Sequence, residues 1–152
     1  MIGMSRFGYS RNVEEPCARA YGRELRISPK DAVEICRTLR GMKLLEAKKL
    51  LEDVQKKVRP ITYRRHKKKL AHKAGMGPGA YPVKAAREIL RVLKNAEENA
   101  KYKGMNEEKL VIVHASAYRG TVIPGIMPRA FGRATPANRP LTNVEIILKE
   151  ES

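Results

Sequence analysis

From Val54 through Arg87, and again from Lys109 through Val144, the chain contains no Asp or Glu. The first stretch crowds Lys56, Lys57, Arg59, Arg64, Arg65, Lys67, Lys68, Lys69 and Lys73 together, and the second carries Arg119, Arg129, Arg133 and Arg139. Such crowding of one sign needs an external counterion, although a like-charge block can also be no more than a solvated run. The whole chain leans the same way, with 32 Lys and Arg against 16 Asp and Glu and a formal net charge of +16. That excess points to a polyanion, and folded RNA supplies a dense phosphate lattice whose condensed counterions are released on binding. A basic block of this kind is often loose when free and ordered on RNA. Tyr63 and His66 sit among the cations, where exposed rings could stack on unpaired bases.

With 152 residues and 42% hydrophobic content, the chain is expected to form one domain over residues 1–152 with appendages. No stretch approaches the roughly 20 apolar residues of a bilayer span, which argues against membrane insertion. The opening MIGMSRFGYSRN lacks the apolar core of a signal peptide, so a cytoplasmic location is expected. In that reducing compartment Cys17 and Cys36 read as buried thiols rather than as a disulfide or a metal pair.

Tyr21, Arg23, Leu25 and Ile27 alternate with Gly22, Glu24 and Arg26, which predicts a half-buried strand over Ala18 to Ile27. Ser28, Pro29 and Asp31 form a helix start, and Ala32, Ile35, Cys36 and Leu39 make its apolar stripe before Gly41. Leu44, Ala47, Leu51, Val54 and Val58 predict a second helix from about Lys43 to Lys57, with Pro60 preventing continuation. A third and longest helix opens at Pro82, carries Ala86, Ile89, Leu90, Leu93, Ala96 and Ala100 on one side, and closes at Gly104. Its acids Glu88, Glu97 and Glu98 read as a solvated face. Leu110 to Tyr118 and Thr142 to Lys149 read as strands able to pair antiparallel.

Between those two strands, Arg replaces Lys as the cation, and its planar fork suits geometrically fixed contact with phosphates and bases. Gly120, Gly125 and Gly132 permit close backbone approach, while Pro124, Pro128, Pro136 and Pro140 oppose sheet pairing with another protein. From Tyr118 to Phe131 the nearly extended chain spans roughly 40 Å at ~3.3 Å per residue. A domain of this size has a radius of gyration near ~15 Å, so such a hairpin has to leave the globule. Met127 and Phe131 are too few to give it a core of its own.

Nothing recommends catalysis. Gly75, Gly77 and Gly79 lack the spacing of a phosphate loop, no apolar strand precedes them, and Pro78 removes an amide; they read as a turn into the third helix. His66, His72 and His114 have no metal-ligand spacing, and His114 reads as a strand residue. A small RNA-processing enzyme would need a polar catalytic group in a pocket. A free-standing nucleic-acid chaperone would explain the charge but not the hairpin.

The strings RISPKDAVEICRTLRGMKLLEAKKLLEDV, GPGAYPVKAAREIL and MPRAFGRATPANRPLTNVEIIL resemble, in order and spacing, the universal large-subunit ribosomal protein family twenty-two in its archaeal and eukaryotic form. The resemblance covers nearly the whole chain. It implies an α+β fold of three helices packed on a small antiparallel sheet, with a long projecting β-hairpin, and a structural protein with no enzymatic activity, cofactor or metal. Residues 58–81 resemble the basic insertion of that branch, and residues 118–141 its extended arm. Implied partners are large-subunit rRNA, neighbouring large-subunit proteins and the nascent polypeptide in the exit tunnel, with no homo-oligomer. The cations of both stretches, together with Asn138, are the implied rRNA contacts. Met127, Pro128, Arg129, Ala130, Phe131, Gly132, Arg133 and Ala134 are the implied tunnel tip, with Arg129 and Arg133 on rRNA or the tunnel lining and Phe131 packed or stacked there. Met76 stands where the branch often has an aromatic residue, and Pro140 where a basic one is common.

Overall fold

The computed structural model describes residues 8–151, so the first part of the N-terminal stretch read for a leader lies outside the described residues. Strand β1 (Ala18–Leu25) is followed by α1 (Pro29–Leu39) and α2 (Leu44–Gln55), then by the short strands β2 (Ile61–Thr62), β3 (His72–Lys73) and β4 (Gly77–Ala80). Helix α3 (Val83–Tyr102) precedes β5 (Leu110–Ile123), β6 (Ile126–Pro128), β7 (Ala134–Pro136) and β8 (Arg139–Glu150). The main sheet is antiparallel in the order β1-β8-β5, which puts the C-terminal strand in the middle. This is the expected α+β body with three helices.

Strand periodicity explains the two faces of the sheet. Val144, Ile146 and Leu148 of β8, opposite Ala18, Ala20 and Gly22 of β1 and Ile112, Ala115 and Ala117 of β5, turn towards the helices and the core. At Gly22 there is no room for a side chain: a Cβ built there would lie 2.6 Å from Val92 Cγ2 of α3 and 2.9 Å from Leu25 Cδ1. Strand β1 ends at Leu25, short of the expected Ile27, because the ladder with β8 bulges between Gly22 and Leu25 and Glu24 takes a left-handed φ of 49°. The Glu24 amide donates instead to Asn143 Oδ1 at 2.8 Å.

The helices follow their stripes, with two corrections. In α1, Ser28 Oγ accepts from the Asp31 amide, Pro29 occupies the first turn, and Ala32, Ile35, Cys36 and Leu39 are buried. Val58, expected to extend the α2 stripe, is 70% exposed, because Lys57 at φ 59° turns the chain away first. Glu97, expected on a solvated face, is buried: α2 packs on α3 and brings Lys48 onto its carboxylate, with Lys101 Nζ at 3.7 Å. Cys17 and Cys36 are buried free thiols, and burial pushes the Cys36 thiol up to about 12, which leaves it unreactive.

The opposite face of the sheet carries the fully buried Glu145. His114 Nε2 lies 2.9 Å from its Oε1, and Ser10 donates to the carboxylate from both its hydroxyl and its amide. Burial by itself raises the Glu145 carboxyl, but the hydrogen bonds from Ser10 and His114 outweigh it and the net position is below the ordinary value.

Two tests follow from this packing. Gly22→Ala is expected to cost about 1–3 kcal/mol in denaturant unfolding, since Val92 and Leu25 must move aside. A carboxylate held below its unfolded value contributes stability above that value and loses it as pH falls through the folded one. The acid limb of the stability profile, followed by thermal unfolding below about pH 5, should therefore flatten in Glu145→Gln.

Candidate nucleic-acid interface

The acids of α1 shape the basic insertion. Glu34 is buried, and its two oxygens accept from the amides of Arg64 (3.2 Å) and Arg65 (3.0 Å), with Arg37 Nη1 at 3.5 Å. One turn earlier, Asp31 Oδ1 accepts from the Tyr63 hydroxyl at 2.7 Å. Tyr63 is therefore 5% exposed and cannot offer its ring to a base, which corrects the stacking expectation: its hydroxyl is turned inward onto the helix. Burial, then the bond to Asp31, pushes its phenol up. His66 stays exposed, at φ 53°.

With the backbone held from below, the side chains point outward. Lys56, Lys57, Arg59, Arg64, Arg65, Lys67, Lys68 and Lys69 are exposed and make no ion pair with a described residue. Lys73 is half-buried with its ammonium 5.2 Å from the centre of the Tyr81 ring. Gly75 lies in a turn as expected, at φ 76°, but Gly77–Ala80 form a strand rather than a turn: β4 is central in a β2-β4-β3 sheet, pairing Ile61 with Ala80 and His72 with Pro78. Pro78 lacks an amide but still uses its carbonyl, which accepts from the Tyr63 amide at 3.0 Å.

The second window forms a two-stranded ribbon. Pairing of β5 with β8 continues from Leu110↔Glu150 to Ile123↔Arg139, and after a break the ladder resumes as Ile126↔Pro136, Met127↔Thr135 and Pro128↔Ala134. The residue pattern ends the first strand at Tyr118; the ladder reaches Ile123 because a bulge between Arg119 and Val122 absorbs the change of register. The prolines sit in a ribbon with free outer edges, where a missing amide costs little. At the tip the Arg129 amide donates to the Arg133 carbonyl at 2.8 Å, and Phe131 (φ 57°) and Gly132 (φ 66°) make the left-handed turn. Phe131 is 96% exposed. Arg119, Arg129, Arg133, Asn138 and Arg139 are all exposed along the ribbon.

The insertion and the root of the arm flank the first turn of α1. Pro29 borders a hollow with Arg65 and His66 on one side and a cleft with Ile123 and Arg139 on the other. The charge pattern does not single out Arg26, Lys30 and Lys84, which are exposed along this junction. Arg26 and Lys30 have acids close by in sequence, which hides them; Lys84 lies inside the first acid-free window and is the available signal. Among the described residues no cluster of His, Cys, Asp or Glu is arranged to hold a metal ion, and no helix is long and apolar enough to cross a membrane.

The family model for ribosomal protein L22p/L17e matches residues 20–149, from the first strand through the arm to the end of the last. The chain belongs to the ribosomal protein L22p/L17e family. It is 54% identical to large ribosomal subunit protein uL22 of Archaeoglobus fulgidus, covering 93% of each chain. It is 53% identical to the protein of that name from Methanopyrus kandleri, over 90% of this chain and 89% of the relative. With the Methanocaldococcus jannaschii protein of the same name it shares 50% identity over 99% of each. L22p/L17e proteins are structural ribosomal proteins rather than enzymes, and this one is of the large subunit.

Because the Glu34 carboxylate ties α1 to the insertion backbone, Glu34→Ala should cost about 1.5–3 kcal/mol, the range for hydrogen bonds to a charged group. Amide hydrogen exchange is expected to accelerate across residues 61–80 while α3 keeps its protection.

Proposed function

We propose that the protein binds large-subunit rRNA through its two acid-free segments, stabilises the folded subunit of the cytoplasmic ribosome, and lines the polypeptide exit tunnel with its arm. The observation that carries this reading is the arm itself: Arg119, Arg129, Arg133 and Arg139 are exposed on a ribbon that has no core and no acid of its own. Such a ribbon gains a lasting position when phosphates supply the missing counter-charge. The insertion acts as a second anchor, with Arg64 and Arg65 presented by the Glu34 cradle. Residues 118–141 then run along RNA, and Met127 to Ala134 form the tip facing the nascent polypeptide. Phe131, fully offered by its turn, packs or stacks there.

Neighbouring large-subunit proteins meet the opposite pole, where acids and lysines already satisfy each other. Lys101 bridges Glu98 and Glu107 at 3.4 and 3.0 Å, a surface with little attraction for phosphate.

The reading is tested by measuring affinity of the full-length protein for protein-free large-subunit rRNA against salt. A steep log–log decline is expected, and replacing Arg129 and Arg133 by Ala should make its slope shallower by about 0.7–0.9 for each phosphate left unneutralised. The melting temperature should stay put, since both side chains are exposed. Binding insensitive to salt would sink the charge-based reading.

A further inference from the structure

At the root of the arm, three separate parts of the chain enclose a cleft of about 590 Å³. The segment between β1 and α1 supplies Arg26 and Ile27, the start of α3 supplies Lys84, and the arm supplies Ile123 and residues 138–141. Two chemistries line it. Arg26, Lys84 and Arg139 are exposed cations without an ion-pair partner among the described residues. Ile123, Pro140 and Leu141 form an apolar wall, although each is at an exposed or half-exposed position. Asn138 Oδ1 accepts from the Gly125 amide at 3.3 Å, which orients the side chain and leaves its amide hydrogens to donate.

A phosphate needs only the cations. An apolar wall, an oriented amide and three cations together fit a ligand with an anionic part and a flat, weakly polar part joined within a few ångströms, and the volume falls in the range of small-ligand sites, about 300–1,000 Å³. A base in an RNA helix presents no such combination, because its faces are covered by its neighbours. An unpaired nucleotide turned out of its stack does, and single-stranded positions are where RNA bases become readable by side chains. We propose that this cleft seats one extruded, unpaired nucleotide of the bound RNA, with its phosphate between Arg26, Lys84 and Arg139 and its base against Ile123 and Leu141.

The inference rests on the rRNA-binding reading and adds a specific consequence. Because the cleft walls belong to both body and arm, an occupant joins the two and holds the arm at one angle to the body. The arm root is otherwise fastened by the β5–β8 ladder, which bulges between Arg119 and Val122 immediately below the cleft.

The experiment compares full-length wild-type protein with Lys84→Ala and Ile123→Lys, each bound to protein-free large-subunit rRNA at saturating concentration, by chemical probing of base edges and 2′-hydroxyls. Lys84 and Ile123 are both exposed, and circular dichroism checks that each variant folds. Ile123→Lys separates the two contributions, since it adds a positive charge while removing the apolar wall. The expected result is one unpaired nucleotide protected by wild type and losing that protection about tenfold in Ile123→Lys, and partly in Lys84→Ala, while the footprint of the insertion is unchanged. Equal or greater protection of every nucleotide in Ile123→Lys would show that charge alone operates here and would overturn the seat. So would a cross-link to protein instead of RNA from Ile123→p-benzoylphenylalanine in assembled subunits. An absent wild-type footprint, by contrast, would remove the RNA-binding reading itself and this inference with it.

Discussion

The antiparallel pairing of β5 with β8 joins everything else in this protein. At one end its inward side chains, Ile112, Ala115, Val144, Ile146 and Leu148, are covered by helices and anchor the ladder in the core. At the other end the same two strands continue past Tyr118 and leave the body gradually: Thr121 still donates to Glu24 at 2.6 Å, whereas from Ile126 to Pro136 every residue is exposed. A two-stranded ribbon alone is only marginally stable in water. Here buried residues at the base start the pairing, and beyond the bulge between Arg119 and Val122 the ladder resumes, shifted by one residue, to reach Ile123.

Charge is distributed along the same axis. Acids near the end of α3 and of β8 are engaged with lysines, as in the contacts of Lys101 with Glu98 and Glu107 and of Lys43 with Glu151. Acids on α1 act differently: Asp31 and Glu34 hold the insertion by its Tyr63 hydroxyl and its Arg64 and Arg65 amides, not by its guanidinium groups. The distinction matters for function. A salt bridge would have neutralised the insertion's cations, whereas bonds to its backbone fix their positions and leave their charge available for phosphate.

The first turn of α1 is thus the joint between the two basic segments. Ser28 and Pro29 start the helix for ordinary capping reasons. That start also lies beside the arm root, and its first two turns carry Asp31 and Glu34, the acids that support the insertion. A local signal, chosen by the needs of one helix, ends up beside both of the exposed basic segments.

The sequence alone was enough to determine three helices, the strands of the main sheet, the exposure of most cations in the acid-free segments and the projection of the arm. Those features depend on periodicity, caps and one-signed charge, which act over a few residues or on the chain as a whole. Tertiary structure decided what Tyr63, Glu97, Val58 and the Gly77–Ala80 segment do. Each depended on something that pattern does not carry: Asp31 for Tyr63, Lys48 for Glu97, and two flanking strands for Gly77–Ala80, while a left-handed Lys57 removed Val58 from its stripe. Tertiary structure also assembled the cleft beneath the arm, because Arg26, Lys84 and Arg139 lie far apart along the chain and become neighbours only when β1, α3 and β8 pack together. Pattern reveals which residues must be buried or solvated; it carries no information on which solvated residues will meet, since that is set by the packing of the buried ones.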